Sequence, residues 1–191
     1  MVAGTWSVGT DRVALDPESV VDRDVVIHPG AVGVVALDPD DRVVVLRQYR
    51  HPVAAHLWEI PAGLLDEPGE SPWATAQREL VEEAGIVADE WHTLIDLYSS
   101  PGMSSETIRV FLARGLSDAH PDDRPAPTDE ERDLVVVRIP LPELVRRVLA
   151  GHVHNSLAVA GLLAAAESQR NGWASLLPAD HPWPGPSWAL G

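Results

Sequence analysis

Three glutamates on one face of a predicted helix are the residues best suited to chemistry. Glu79, Glu82 and Glu83 are spaced i, i+3 and i+4, which places their carboxylates on the same side of an α-helix. Carboxylate oxygens are preferred ligands of Mg²⁺, which retains several waters and bridges readily to phosphate. The triad therefore indicates a divalent-metal site for a phosphate-bearing substrate. The alternative is a solvated acidic face on a surface helix.

The residues around the triad extend the pattern. Residues 63–70 read GLLDEPGE and residues 78–86 read RELVEEAGI, with seven residues between them. This string resembles the Nudix box, G-x5-E-x7-R-E-U-x-E-E-x-G-U with U apolar, and matches it except that six residues separate Gly63 from Glu70. The extra residue falls in the loop before the helix, so the ligand spacing is unchanged. Glu70 and Arg78 match the family's structural ion pair, for which an ordinary surface pair is the alternative.

The resemblance implies a fold and a metal site. The expected fold is the α/β Nudix fold, in which mixed β-sheets are sandwiched between helices. Family members typically use the first and last glutamates of the helix as metal ligands, which are Glu79 and Glu83 here, with Glu82 as a further direct or water-mediated ligand. Gly63 lets the backbone turn tightly, and a nearby carbonyl such as that of Ala62 is expected to join the carboxylates around Mg²⁺, with Mn²⁺ possible.

Three flanking segments resemble the ADP-ribose pyrophosphatase subfamily, actinobacterial type. Residues 58–63 read WEIPAG, residues 100–106 read SPGMSSE with Pro101 near the subfamily's marker proline, and residues 48–51 read QYRH. The resemblance places substrate-binding residues within these segments. They are Arg50, Glu59, Gly102, Met103 and Glu106.

Two of these assignments also have a physical argument. In a chain of formal charge -15, one guanidinium near the metal supplies directional hydrogen bonds to phosphate oxygens, which makes Arg50 a phosphate ligand. Glu106 is suited to a ribose hydroxyl or a metal-bound water. The alternatives are a surface arginine and an exposed loop glutamate.

The general base is expected outside the box, because metal occupies the box glutamates. In the resembling subfamily it is a glutamate on a mobile loop before the final strand. Here that position falls on Glu130, with Glu131 as the near alternative, and Glu82 or Glu106 next. A solvated acidic run is the competing interpretation of this loop.

The predicted activity is Mg²⁺-dependent hydrolysis of the diphosphate of ADP-ribose to AMP and ribose 5-phosphate. One alternative is a pyrophosphatase for another nucleoside diphosphate sugar or dinucleotide. A second is a Nudix module that binds a nucleotide sugar without hydrolysing it, although such a module does not need the repulsive triad. A third is an α/β binding protein with an acidic helix.

The composition excludes several other classes. The 191 residues contain no cysteine, and all 14 basic residues are arginine, so thiolate, Schiff-base and phosphate-loop lysine chemistry are ruled out. The charge of -15 disfavours nucleic acid and anionic membranes. The longest apolar run has 10 residues, too few to span a bilayer, and no secretory signal is present, so we expect a cytoplasmic protein. The resemblance implies a homodimer to which the N-terminal strands contribute.

Hydrophobic periodicity predicts the elements that position these residues. A helix is predicted from Pro72 to Ala84, with Ser71 as N-cap and Gly85 as C-cap, and two helices follow near residues 142–149 and 156–169. Strands are predicted at residues 20–28, 31–37, 42–49, 57–61, 91–97, 107–113 and 134–139, the first three as neighbours in one sheet. Residues 117–129 are predicted to be a loop.

We expect three parts along the chain. Residues 1–30 form an N-terminal β segment that contributes to the dimer. Residues 31–170 form the Nudix domain, and residues 171–191 form a tail rich in proline and tryptophan.

Overall fold

A computed structural model describes residues 2–3, 6–124 and 134–183. In these ranges the strands, numbered β1 to β11 in chain order, are Val2–Ala3, Trp6–Asp16, Ser19–Ile27, Ala31–Ala36, Arg42–Arg50, Ala55–Glu59, Ala62–Leu64, Ile86–Tyr98, Thr107–Asp118, Val135–Pro140 and Leu177–Pro178. The α-helices, α1 to α3, are Pro72–Ala84, Leu141–Leu149 and Ser156–Arg170. Two short 3₁₀ helices are His51–Val53 and Pro121–Asp123. No helix in these ranges has the length and apolar content needed to cross a membrane.

The strands form three sheets. The largest has the order β11-β8-β9-β4-β7, and its β4 and β9 are parallel while its other neighbours are antiparallel. The second sheet has the order β10-β5-β6 and the third β1-β2-β3, both antiparallel throughout. The parallel pair makes the central sheet mixed, as predicted.

Alternate residues of β4 serve two cores on opposite faces of the central sheet. Val32 and Val34 pack in a cluster with Leu80 of α1, whereas Val35 packs in a cluster with Leu162 of α3. All six residues of β4 are buried, as expected for a strand covered on both faces. The predicted α/β sandwich of sheet between helices is confirmed.

Helix α1 begins and ends at the predicted residues. The side chain of Ser71 accepts a hydrogen bond from the amide of Ala74 at 3.2 Å, which satisfies one of the unpaired amides of the first turn. Pro72 occupies the first turn, where its missing N–H costs nothing. Gly85 closes the helix with φ of 66°, a left-handed conformation that favours glycine.

The prediction that the first three strands are neighbours in one sheet is wrong. β3, β4 and β5 lie in three different sheets. The chain turns at Gly30, with φ of 99°, and at Asp41, with φ of 58°, so each strand leaves in a new direction. The hydrophobic pattern of β4 shows that it is buried, but its hydrogen-bonding partners, β7 and β9, come from later in the chain.

The strand predicted at residues 57–61 is present but shifted to Ala55–Glu59, because the chain changes sheet after Glu59. β6 ends at Glu59 and pairs with β5, whereas β7 starts at Ala62 and pairs with β4. Between them, the carbonyl of Pro61 accepts a hydrogen bond from the amide of Val34 at 2.8 Å. This corner places Glu59, the last residue of β6, close to Gly63, the first residue of the box, although the two residues belong to different sheets.

Two other segments differ from the predictions. β2 was not predicted because charged and polar residues interrupt its apolar pattern, and it forms a long hairpin with β3. The predicted loop at residues 117–129 is shorter, since β9 continues to Asp118 and Pro121–Asp123 form a 3₁₀ helix. Residues 125–129 of that loop lie outside the described ranges.

Candidate active site

Glu83 lies on the buried side of α1. Its side chain accepts a hydrogen bond at Oε2 from the amide of Ala62, at 2.9 Å. Burial raises the pKa of Glu83 to about 8, and the nearby carboxylates of Glu79 and Glu59 act in the same direction, whereas the Ala62 amide and Arg50 oppose it. A carboxyl group this costly to ionise indicates a place where positive charge is needed.

Arg78 connects the other box glutamates. Its Nε and Nη2 atoms donate to the two carboxylate oxygens of Glu70 at 3.1 and 3.0 Å, which is the ion pair that the resemblance implies. Its Nη1 donates to Glu79 at 2.8 Å and to Glu82 at 3.1 Å. The bond from Arg78 is the main reason that the pKa of Glu70 is lowered. Arg78 therefore ties the box loop, residues 63–70, to α1.

Gly63 is required by its distance from Glu79. A Cβ atom at residue 63 would lie 2.0 Å from Oε1 of Glu79, closer than any nonbonded contact allows. The register between β4 and β7 pairs Gly63 with Val32 and so fixes the backbone there. The glycine thus leaves room for a metal-ligand candidate to lie against the strand.

The box glutamates fit a metal by chemistry, although they are not gathered around one point. Across residues 2–3, 6–124 and 134–183, no three acidic, histidine or cysteine side chains are close enough together to enclose an ion. The reason is that Arg78 holds Glu79 and Glu82 while Glu83 faces the Ala62 amide. The set still offers only oxygen ligands, which suits Mg²⁺ or Mn²⁺, and burial makes the charged form of Glu83 costly.

Arg50, the last residue of β5, and Glu59, the last residue of β6, form a bidentate pair. Nε of Arg50 donates to Oε1 of Glu59 at 3.0 Å, and Nη2 donates to Oε2 at 2.6 Å. The Glu59 side chain is only 4% exposed, whereas that of Arg50 is 41% exposed. The buried carboxylate therefore orients a guanidinium that solvent and ligands can reach.

A cavity of about 610 Å³ lies between the Arg50–Glu59 pair and the Gly63 corner. Its lining includes Arg50, Glu59, Gly63 and Glu106. Glu106 accepts a hydrogen bond from the Ser99 hydroxyl, and Nε2 of His28 lies 3.6 Å from its Oε1. The volume is in the usual range for a small-molecule site.

Two predicted substrate-binding residues lie elsewhere. Gly102 and Met103 line a different cavity, together with Val13 and Arg23 of the N-terminal hairpin. The Met103 carbonyl accepts a hydrogen bond from the amide of Val26 at 2.8 Å. The structure therefore places them against the hairpin and away from Arg50. Glu130 and Glu131, the candidates for the general base, lie outside the described residues.

Several residues that line the cavity were not predicted from the sequence. Asn155 and Ser156, at the amino-terminal end of α3, line the cavity, as does Ser99. The capping signal of Asn155 was visible, and its side chain accepts from the amide of Ala158 at 3.0 Å. Nothing local in the sequence indicates that this helix end faces a site built from β5, β6 and β7.

A comparison with protein families shows whether the three glutamates of α1 belong to a Nudix box or to an ordinary acidic helix face. The model of the NUDIX domain matches residues 27–157. The chain belongs to the Nudix family. It is a Nudix hydrolase, and such enzymes generally depend on a divalent metal.

Individual relatives of this Nudix hydrolase cover most of its length. It is 44% identical to the ADP-ribose pyrophosphatase of Mycobacterium tuberculosis, over 93% of this chain and 84% of the relative. It is 36% identical to the methanol dehydrogenase activator of Bacillus methanolicus, over 78% of each chain. A crystal structure of an ADP compounds hydrolase matches 90% of this chain and 98% of its own with a TM-score of 0.66, and at 23% identity this match supports the fold alone.

Proposed function

We propose that this Nudix hydrolase splits the diphosphate of ADP-ribose into AMP and ribose 5-phosphate with the help of Mg²⁺. One observation carries the proposal. Arg50, Glu106 and the Gly63 corner beside Glu79 line one cavity, in a chain 44% identical to an ADP-ribose pyrophosphatase. The cavity thus places a phosphate-binding cation on the same wall as Ala62 and Gly63, beside which the metal-ligand candidates Glu83 and Glu79 lie.

We assign the metal to Glu79, Glu82, Glu83 and the carbonyl of Ala62. The support is the oxygen-only donor set and the burial of Glu83, whose charge needs compensation. When bound, the metal supplies positive charge to the diphosphate oxygens and lowers the pKa of an attacking water.

Arg50 is the proposed phosphate ligand. A guanidinium fixed in one plane forms directional hydrogen bonds to phosphate oxygens at little entropic cost. The buried Glu59 provides that fixation, so in this proposal Glu59 contributes to substrate binding through Arg50. Glu106, held by Ser99 in the same cavity, is assigned to a ribose hydroxyl or a metal-bound water.

The general base is proposed to be Glu130, with Glu131 as the alternative. A loop residue reaches the attacking water only after the diphosphate is bound, which limits unproductive hydrolysis. If neither glutamate is the base, Glu82 and then Glu106 are the next candidates.

The N-terminal β segment, residues 1–30, is proposed to pair with a second copy of the chain. Its β2–β3 hairpin exposes large apolar side chains, namely Trp6, Val8, Val13, Leu15, Val20 and Ile27. An apolar sheet of this size is poorly stable when left in water. Gly102 and Met103, which line a cavity together with this hairpin, would then meet substrate within the dimer. Light scattering at micromolar concentration tests the pairing, and a monomer there would contradict it.

A panel of nucleoside diphosphate sugars, assayed with and without Mg²⁺, tests the substrate. We expect AMP release from ADP-ribose, abolished by chelator. The second candidate substrate is another nucleoside diphosphate sugar or a dinucleotide. Faster turnover of a different nucleotide sugar would favour that candidate, and metal-dependent turnover of none would contradict both.

A further inference from the structure

Arg109 of β9 is a buried arginine that the proposed reaction does not use. Its side chain is 2% exposed, and Nε and Nη2 each donate to the Asp96 carboxylate at 2.8 Å. Nη1 also donates to the carbonyl of His181 at 2.5 Å. A buried guanidinium is costly unless its N–H groups are paired. Arg109 is therefore a fixed anchor for the backbone near residue 181.

The segment that contacts Arg109 is also attached to the central sheet at a second point. Leu177 and Pro178 form β11, which pairs with β8, and the Pro178 carbonyl accepts a hydrogen bond from the hydroxyl of the buried Thr93 at 3.1 Å. Residues 177–183, which we call the C-terminal strap, are thus held at both ends. The strap lies beyond residues 27–157, the part that the family model matches.

The strap ends at Trp183, whose ring lies beside Gly30. Its indole ring stacks under Arg109, with 5.4 Å between Cζ and the ring centroid. The position that a Cβ atom would occupy on Gly30 is 3.5 Å from Cη2 of Trp183 and 3.2 Å from Cδ1 of Leu65. Trp183 and Leu65 therefore flank the same glycine.

Leu65 connects this contact to the metal-ligand candidates. Its amide donates to the carbonyl of Gly30 at 3.1 Å, two residues after Gly63, whose backbone lies against Glu79. The loop from Gly63 to Glu70 has one residue more than the family pattern, so it has additional freedom that the box itself does not restrain.

We propose that the C-terminal strap holds the box loop in place through Trp183, and that Trp183 is a positioning residue for Glu79. The role in catalysis rests on the proposed function, whereas the effect on the loop does not. The N–H of the Trp183 ring is buried and has no hydrogen-bond acceptor among the described residues, so the contribution comes from the ring surface. An aromatic ring without that N–H should therefore serve as well.

The test compares Trp183→Ala, Trp183→Phe and the control Trp173→Ala. Trp173 is matched because its ring also lies 5.4 Å from an arginine Cζ, that of Arg114, but it packs on the α3 side of the sheet. The readouts are hydrogen exchange of the Leu65 amide, the affinity for Mn²⁺ alone by calorimetry, and kcat and KM for ADP-ribose.

We expect Trp183→Ala to accelerate exchange at Leu65 and to weaken Mn²⁺ binding about 10-fold, the lower end of the effect of residues that orient metal ligands. With Mg²⁺ below saturation, kcat should fall with little change in KM. Trp183→Phe should restore all three readouts, and Trp173→Ala should change only the melting temperature.

The proposal is overturned if Leu65 exchange and Mn²⁺ affinity are unchanged in Trp183→Ala, or if Trp173→Ala alters them equally. Failure of the proposed function has a different signature. In that case no variant, including the wild type, hydrolyses ADP-ribose, while Leu65 exchange and Mn²⁺ affinity still report on the strap.

Discussion

Arg50, the last residue of β5, and Glu59, the last residue of β6, form a two-point ion pair between an exposed guanidinium and an almost fully buried carboxylate. The pair gives the cavity its directional cation. It also makes the two residues interdependent, because a carboxylate buried without its partner is strongly destabilising.

We predict that Arg50→Lys weakens substrate binding although the charge is kept. Lysine cannot reproduce the two-point geometry towards Glu59 or phosphate. The expected increase in KM is about 5- to 150-fold, corresponding to roughly 1 to 3 kcal/mol. Arg138→Lys, which changes an arginine on β10 far from this pair, is the control. A KM equal to that of the wild type would make Arg50 an ordinary structural arginine.

Glu83→Gln should remove most turnover while leaving the fold intact. The substitution keeps the shape of the side chain but removes the charge of a proposed metal ligand, so the loss should appear in kcat at all Mg²⁺ concentrations. Circular dichroism should be unchanged. Full activity at saturating Mg²⁺ would contradict the assignment of Glu83.

The metal-free protein should lose stability as the pH rises through the range from about 4.5 to 8. The pKa of Glu83 is raised from 4.5 to about 8 by burial, so in this range the folded chain keeps a proton that the unfolded chain releases. The contribution is fully present below pH 4.5 and is lost above about 8. It is on the order of several kcal/mol, since one pKa unit corresponds to about 1.4 kcal/mol.

The measurement is the free energy of unfolding of the wild type minus that of Glu83→Gln, in chelator, as a function of pH. Glutamine does not titrate, so the difference isolates residue 83. A difference that is constant between pH 5 and 9 would mean that the carboxyl group is not held protonated.

Gly63→Ala should displace Glu79, because the new methyl group would lie 2.0 Å from its Oε1. We expect Mn²⁺ affinity and kcat to fall about 10- to 100-fold. The control is Gly151→Ala, which has a φ of 71° and open space around it, so it costs stability without touching the cavity. Equal activity losses in the two variants would point to a general effect on folding.

Glu130→Gln should lower kcat by about 10² to 10⁴, the usual contribution of a positioned base, with Mn²⁺ affinity little changed. Glu131→Gln is the matched comparison. If only Glu131→Gln shows the loss, the base is one residue further along. If neither does, Glu82 and Glu106 become the candidates.

The sequence by itself determined the features that depend on near neighbours along the chain. The bounds of α1 follow from Ser71 and Gly85, and the shared side of Glu79, Glu82 and Glu83 follows from helical spacing, because caps and i to i+4 neighbours act within one or two turns. The box residues sufficed for the family because they combine a turn, a helix start and a ligand spacing in one short segment.

Only the tertiary structure decided which strands are neighbours and what faces the cavity. Contacts between different segments of the chain decide three features of the site. They divide residues 55–64 between two sheets, orient Arg50 by Glu59 and place the amino-terminal end of α3 at the cavity. A strand's alternation shows which of its faces is buried, whereas its hydrogen-bonding edge accepts any extended segment. The partner is therefore chosen by how the whole core packs. The same holds for Trp183, which lies beside Gly30 although more than half of the chain separates them in sequence.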